Sequence, residues 1–194
     1  MVFQSRVYSV LVVSASQKFN DALTRLIPET LYSPVTVVSS VAAARRKLLD
    51  RAYDLVLINA PLPDDFGSKL AIDVCSSSSA VALLLVKTEA LEETNTQVQD
   101  RGVYTLSKPT SPQTLLQSLQ WMICTRERLR GLEQKAASID EKMEEIRLVN
   151  RAKWLLIECL SMTETEAHRY IEKQAMDRCG TRREIARGII ATYG

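Results

Sequence analysis

The side chains able to do chemistry are few, and most are scattered. Four cysteines, Cys75, Cys124, Cys159 and Cys179, form no C-x-x-C pair and show no metal-ligand spacing, and His168 is the single histidine. They read as buried free thiols in a reducing compartment and a plain helix residue, with no metal and no cofactor expected. Asp64 and Asp65 share a loop with Pro61, Pro63 and Gly67, where solvated acids are expected. Only the cations concentrate. Residues 1–122 hold 11 Lys+Arg and 11 Asp+Glu, residues 123–146 hold 5 and 6, and residues 147–194 hold 9 and 6, a net +3. In that last segment Arg151, Lys153, Lys173, Arg178, Arg182, Arg183 and Arg187 fall at helix ends or outward positions. Each alone is an ordinary solvated charge. Together they permit an anionic partner, and an aromatic plane among them would add a stacking surface. Trp154 offers such a plane, but beside Leu155, Leu156 and Ile157 it reads first as core or interface.

The elements that must position these residues follow from apolar periodicity. Strand-like runs at 7–13, 35–38, 54–58, 81–86 and 103–106 alternate with helical segments at 17–27, 41–50, 68–75 and 91–100, with Ser40 as an N-cap. Residues 54–58 are apolar throughout, as a strand covered on both faces should be. Five β-α alternations with short connections predict a doubly wound, five-stranded parallel sheet in the order 2-1-3-4-5. An apolar content of 46% suits a packed core. No apolar run reaches the roughly 18 residues a membrane span needs, and no signal pattern opens the chain. A soluble, cytoplasmic protein without membrane contact is expected.

From Ser111, a plausible N-cap before Pro112, helical spacing continues with no further proline. Leu115, Leu119 and Met122 lead into Leu129, Leu132, Ala136, Ile139, Met143 and Ile146, mostly in alternating steps of four and three, with charged flanks. That is a coiled-coil seam. A helix of some 40 residues spans about 60 Å and cannot bury the seam against itself, so a homodimer through residues 123–146 is expected. The C-terminal segment then reads as a three-helix bundle. The long helix supplies Leu148, Ala152, Leu155, Leu156 and Cys159. A Thr163–Glu166 capping box opens a helix to about residue 178, with Ala167, Tyr170, Ile171 and Ala175 inward. Gly180 closes it, Thr181 caps, and a third helix at 182–191 turns Ile185, Ala186, Ile189 and Ile190 inward.

Residues 6–122 resemble the response-regulator receiver domain. That family ends strand 1 with acids that hold Mg²⁺, where this chain has Ser14 and Ala15; its phosphorylated aspartate falls on Asn59, with Pro63 and Gly67 at the family's offsets. The hydroxyl of strand 4 falls on Val86, the switch aromatic on Thr105, and only the lysine survives, as Lys108 before Pro109, a pair usually cis in the family. An amide is a poor nucleophile for phosphoryl transfer and no acid is left to anchor Mg²⁺. The resemblance therefore implies a pseudo-receiver over 1–122 whose degenerate site is Ser14, Ala15, Asn59, Val86 and Lys108. Lys108 is expected to hydrogen-bond Asn59 or strand-end carbonyls rather than a ligand.

Residues 147–194 resemble the ANTAR domain, an RNA-binding module of bacterial transcription antiterminators. Ala152-Lys153, Leu156, Glu164-x-Glu166-Ala167, Ala175-Met176-Asp177 and Ala186 match its pattern. Trp154 replaces a usual glycine, His168 an aromatic, and Thr181 a frequent basic residue. The resemblance implies a non-enzymatic, dimeric antitermination regulator that binds paired hairpins of a nascent leader RNA, with a regulatory protein docking on the pseudo-receiver. The runner-up is a signalling adaptor whose pseudo-receiver docks a sensor protein and whose tail binds protein.

Overall fold

The computed structural model describes residues 6–194, which fall into two compact units divided between residues 131 and 132, each taken by itself below. In the first, strands β1 (Tyr8–Val13), β2 (Tyr32–Val38), β3 (Leu55–Asn59), β4 (Val81–Lys87) and β5 (Tyr104–Lys108) form one parallel sheet in the order β2-β1-β3-β4-β5. Between them run α1 (Gln17–Leu26), α2 (Val41–Asp50), α3 (Ser68–Ser77) and α4 (Leu91–Val98), and α5 (Pro112–Leu160) follows β5.

The strand side chains alternate between two cores, which is the physical content of a doubly wound sheet. Leu11, Val13, Val56, Ile58, Leu84 and Val86 pack with Ala44 of α2 and with Leu70, Ala71 and Val74 of α3. Val10, Val12, Leu55, Leu57, Leu83 and Leu85 pack with Leu23 of α1 and with Leu115, Leu119 and Met122 of α5. Val86 is wholly buried, and the hydroxyl nearest the end of β4 is that of Thr88, which donates to the Lys108 carbonyl at 3.1 Å. Ser16, Ser40 and Ser111 accept hydrogen bonds from Phe19, Ala43 and Thr114 N–H and so cap α1, α2 and α5.

Several spans differ from the periodicity. β2 begins at Tyr32 rather than after Pro34, because an edge strand tolerates a residue that cannot donate. β5 continues through Ser107 and Lys108, which pair with Val86 and Lys87. The helix expected to residue 100 ends at Val98 and tightens into a 3-10 turn, Gln99–Arg101.

In the second unit, the C-terminal part of α5 packs with α6 (Glu164–Asp177) and α7 (Arg182–Tyr193). Alanines at 152, 167, 175 and 186 let the backbones approach, and Leu156, Ile171, Ile185 and Ile189 fill the space between them. Both short helices open on complete capping boxes, Thr163 with Glu166 and Thr181 with Glu184. The structure changes four of the sequence expectations. Cys159 is exposed, as are Cys124 and Cys179, and Cys75 is half-buried, so the thiols are not a buried set. Tyr170 is exposed rather than inward. At the end of α6 the left-handed residue is Cys179 (φ 50°), and Gly180 N–H donates to the Ala175 carbonyl. Trp154 is 70% exposed and takes no part in the bundle core.

Candidate nucleic-acid interface and degenerate phosphoacceptor site

The residues matching the phosphorylation machinery meet at the C-terminal ends of β1, β3 and β5. Asn59 Nδ2 donates to Ser14 Oγ at 3.0 Å, and Lys108 Nζ donates to Asn59 Oδ1 at 2.6 Å and to the Ala60 carbonyl. The expected partners of Lys108 are therefore the observed ones. Ser14 and Asn59 are buried, Ala15 is exposed, and the Lys108–Pro109 peptide is cis. Burial, with Lys87 adding like charge, pulls the Lys108 ammonium below the usual lysine value. Thr105, at the switch-aromatic position, donates to Asn95 Oδ1 of α4 at 2.9 Å.

The loop acids are exposed, as expected of solvated acids, and each also accepts from backbone N–H. Asp64 accepts from Val41 and Ala42 N–H, both at 2.9 Å, at the N-terminus of α2. Those backbone bonds hold its carboxyl below the usual range. Asp65 accepts from Gly67 N–H at 2.7 Å. Gly67 itself has φ 99°, and a β-carbon there would lie 2.7 Å from Ile58 Cγ2, so this turn requires glycine.

Sequence reasoning missed the charged cluster at the other end of the sheet. Asp54 Oδ2 accepts from Ser9 N–H and Oγ–H, both at 3.0 Å. Its Oδ1 accepts from Arg126 Nε at 3.1 Å and Arg130 Nη2 at 2.8 Å. Glu127 pairs with Arg130 and Arg6 at 2.6 and 2.8 Å. Burial raises the Asp54 pKa, but the Ser9 bonds and the two guanidiniums outweigh it and leave the carboxyl below its usual value. Arg126 and Arg130 had read as coil flanks; partners 72 and 76 residues away carry no local signal.

On the second unit, Lys153 and Arg182 meet. With Lys142, Glu145, Ile146, Val149, Asn150 and His168 they line a depression of about 450 Å³. Neither cation is a free surface charge: Lys153 pairs with Glu164 at 3.1 Å and Arg182 with Glu145 at 3.2 Å. His168 faces Glu172 at 3.3 Å. Arg178 lines a separate groove of about 410 Å³ between α6 and α7, beside the exposed Tyr170 and Tyr193. Arg151, Lys173 and Arg187 are exposed, and Arg183 is half-buried with no hydrogen-bond partner for Nε. The seven cations therefore spread over more than one face.

Trp154 shares a helical face with Arg147 and Arg151, spaced seven and three residues before it. That places an exposed indole beside two guanidiniums, an arrangement suited to base stacking between phosphate contacts. Arg147 was missed because the run 154–157 favoured a buried tryptophan. Along α5, Leu132, Ala136, Ile139, Met143 and Ile146 are exposed, whereas Leu129, counted with them from the spacing, packs against the core of the first unit. Among the described residues no helix is long and apolar enough to cross a membrane.

The first unit has a receiver-like fold, and part of the second matches a known domain family. Residues 137–190 match the ANTAR domain family. Solved structures similar to the first unit include the signal receiver domain of an HD domain-containing protein from Pseudomonas fluorescens Pf-5. It is 23% identical, with a TM-score of 0.60 over 68% of this chain and 97% of that one. A CheY-like receiver domain protein from Methanospirillum hungatei JF-1 is 18% identical, with a TM-score of 0.57 over 63% and 98%. Of named proteins, the chain is similar to the transcriptional regulatory protein PdtaR of Mycobacterium tuberculosis. The two are 29% identical over 142 residues, 73% of this chain and 69% of that protein.

Proposed function

We propose that this chain is an RNA-binding transcription antitermination regulator that works as a dimer and takes no phosphoryl group. The observation that carries the reading is the ANTAR match over residues 137–190, on a unit whose exposed side chains combine cations with an unburied indole. Phosphate contacts would come from the seven cations named above, and stacking from Trp154 and the arginine planes beside it. Dimerisation through Leu132, Ala136, Ile139, Met143 and Ile146 supports the use of paired hairpins, because linking two weak contacts raises the effective concentration of the second. The division 1–122, 123–146 and 147–194 is kept as the functional one: pseudo-receiver, coil and RNA-binding domain. With Ser14, Ala15 and Asn59 in place of the acids, control passes to a docking protein or a ligand on the pseudo-receiver, and the setting is the cytoplasm.

The test is an electrophoretic titration of the full chain against a two-hairpin RNA, a single hairpin and duplex DNA at two salt concentrations. The two-hairpin RNA binds tightest. Lys153→Ala with Arg182→Ala weakens binding by about 1–3 kcal/mol and flattens the salt dependence, since phosphate contacts release counterions. Both residues sit in partly exposed ion pairs, so the same change costs only about 0.2–1 kcal/mol of stability per pair. Equal affinity for all three nucleic acids, or none for RNA, puts the adaptor reading in front.

A further inference from the structure

The degenerate site is not merely inert, because its substitutions invert its charge. In a receiver with its acids in place, the lysine at the end of β5 faces carboxylates. Here Lys108 Nζ donates to an amide oxygen and a backbone carbonyl, both neutral, and its third proton has no acceptor among the described residues. Lys108 lines a depression of about 570 Å³, together with Ala15, Ser16, Lys18, Phe19, Ala22, Asn59, Ala60 and Pro61. Among the described residues its charged lining residues are the two lysines. Of the acids close in sequence to the lining, Asp64 is engaged on the N-terminus of α2, Asp65 on Gly67 N–H, and Asp21, three residues after Lys18 on α1, accepts from Gln17 Nε2 at 2.8 Å. Lys87, in register beside Lys108 at the strand ends, adds a third positive charge.

A desolvated ammonium without a counter-charge is costly, and the cost falls when an anion occupies the space before it. The location is also where open α/β sheets hold ligands, outside the carboxyl ends of the strands. Phe19, Ala22 and Pro61 give one wall an apolar surface. The volume lies within the usual range for small-molecule sites, about 300–1,000 Å³.

We propose that this depression binds a small oxyanion carrying an apolar body, a phosphate monoester or a carboxylate, with the anionic group on Lys108 and Lys18 and the body against Phe19 and Pro61. The pseudo-receiver then senses a ligand at the place where a receiver is phosphorylated. Binding takes no metal and forms no covalent bond.

Phenyl phosphate, benzoate, inorganic phosphate and neutral benzyl alcohol are titrated into the full ¹⁵N-labelled chain, in separate arms at constant ionic strength. The expected result is that phenyl phosphate, benzoate or both shift the Ala15, Ser16 and Lys108 amides and the Asn59 side-chain amide. Inorganic phosphate binds more weakly, and benzyl alcohol leaves these signals in place. Phenyl phosphate against benzoate tells a phosphate site from a carboxylate site. Asn59→Asp supplies Lys108 with a carboxylate and lowers the affinity at least about tenfold, because it sets a like charge beside the anion, and Lys108→Met does the same by removing a charged hydrogen bond to the ligand. The unchanged remainder of the Asn59→Asp spectrum shows that this variant is folded. Shifts confined to residues 132–194, affinity unaltered by Asn59→Asp, or no shift at millimolar anion would overturn the proposal. RNA affinity is not part of the readout, so either result leaves the RNA-binding reading to its own test.

Discussion

Replacing Asp54 by alanine should destabilise the receiver-like unit more than any other single surface-charge change. The carboxylate accepts four hydrogen bonds, two from Ser9 and one each from Arg126 and Arg130. The side chains of Asp54, Arg126 and Arg130 are only 16, 13 and 19% exposed, so water replaces little of what is lost. Removing one member of a buried pair costs about 3–5 kcal/mol. Partial solvent access and the Arg130–Glu127 pair, which survives, reduce this to about 2–4 kcal/mol, or on the order of 8 °C in Tm. The sign with pH follows from the depressed carboxyl. Its contribution is fully present above the unfolded pKa of about 3.9 and is lost as pH falls through the lower folded value. Wild type and Asp54→Ala should therefore differ at pH 7 and converge in strong acid. Denaturant titration followed by circular dichroism at pH 7 and in acid measures both. Asp54→Asn, which keeps acceptors for Ser9 without the charge, should fall between. A loss under 0.5 kcal/mol at pH 7, or a difference that persists undiminished in acid, would refute the argument.

Two other outcomes follow from the site and the seam. Incubation with acetyl phosphate and Mg²⁺ should leave the mass unchanged, and an adduct on Asp64 or Asp65 would contradict both the pseudo-receiver reading and the helix-capping role of Asp64. Ile139→Asp with Met143→Asp should weaken a dimer at about 1.5–3 kcal/mol per side chain that the dimer buries. At 61 and 47% exposure in the single chain these residues add little to the fold of one protomer, so the change should appear in light scattering without a matching loss of helicity. A wild-type monomer at micromolar concentration would remove the seam from the functional argument.

Period and punctuation in the chain determined most of the elements. Short continuous apolar runs predicted the strands, and the β-α succession predicted the 2-1-3-4-5 order, because short parallel connections permit few topologies. The Thr163 capping box and the Thr181 cap were legible because a cap and its partner lie three residues apart, though the Glu184 half of the second box was seen only in the structure. The substitutions Ser14, Ala15 and Asn59 at the strand ends, on which the proposed loss of phosphorylation rests, were equally readable, since they are a matter of residue type. Burial and long-range pairing were not. Leu129 and Leu132 belong to the same apolar spacing, yet one packs on the receiver core and the other is exposed. Periodicity marks a helical face but does not say what covers it. Trp154 sits in the most apolar stretch of its segment and still points to solvent, because a single helical turn presents neighbours to opposite sides. Asp54 and Asp64 carry no motif at all. Each is defined by groups that only the fold brings within 3 Å or so, guanidiniums of α5 for one and the free N–H groups of α2 for the other. Local interactions span a few residues and can be read along the chain, whereas partners separated by dozens of residues exist only once the sheet and its helices are assembled.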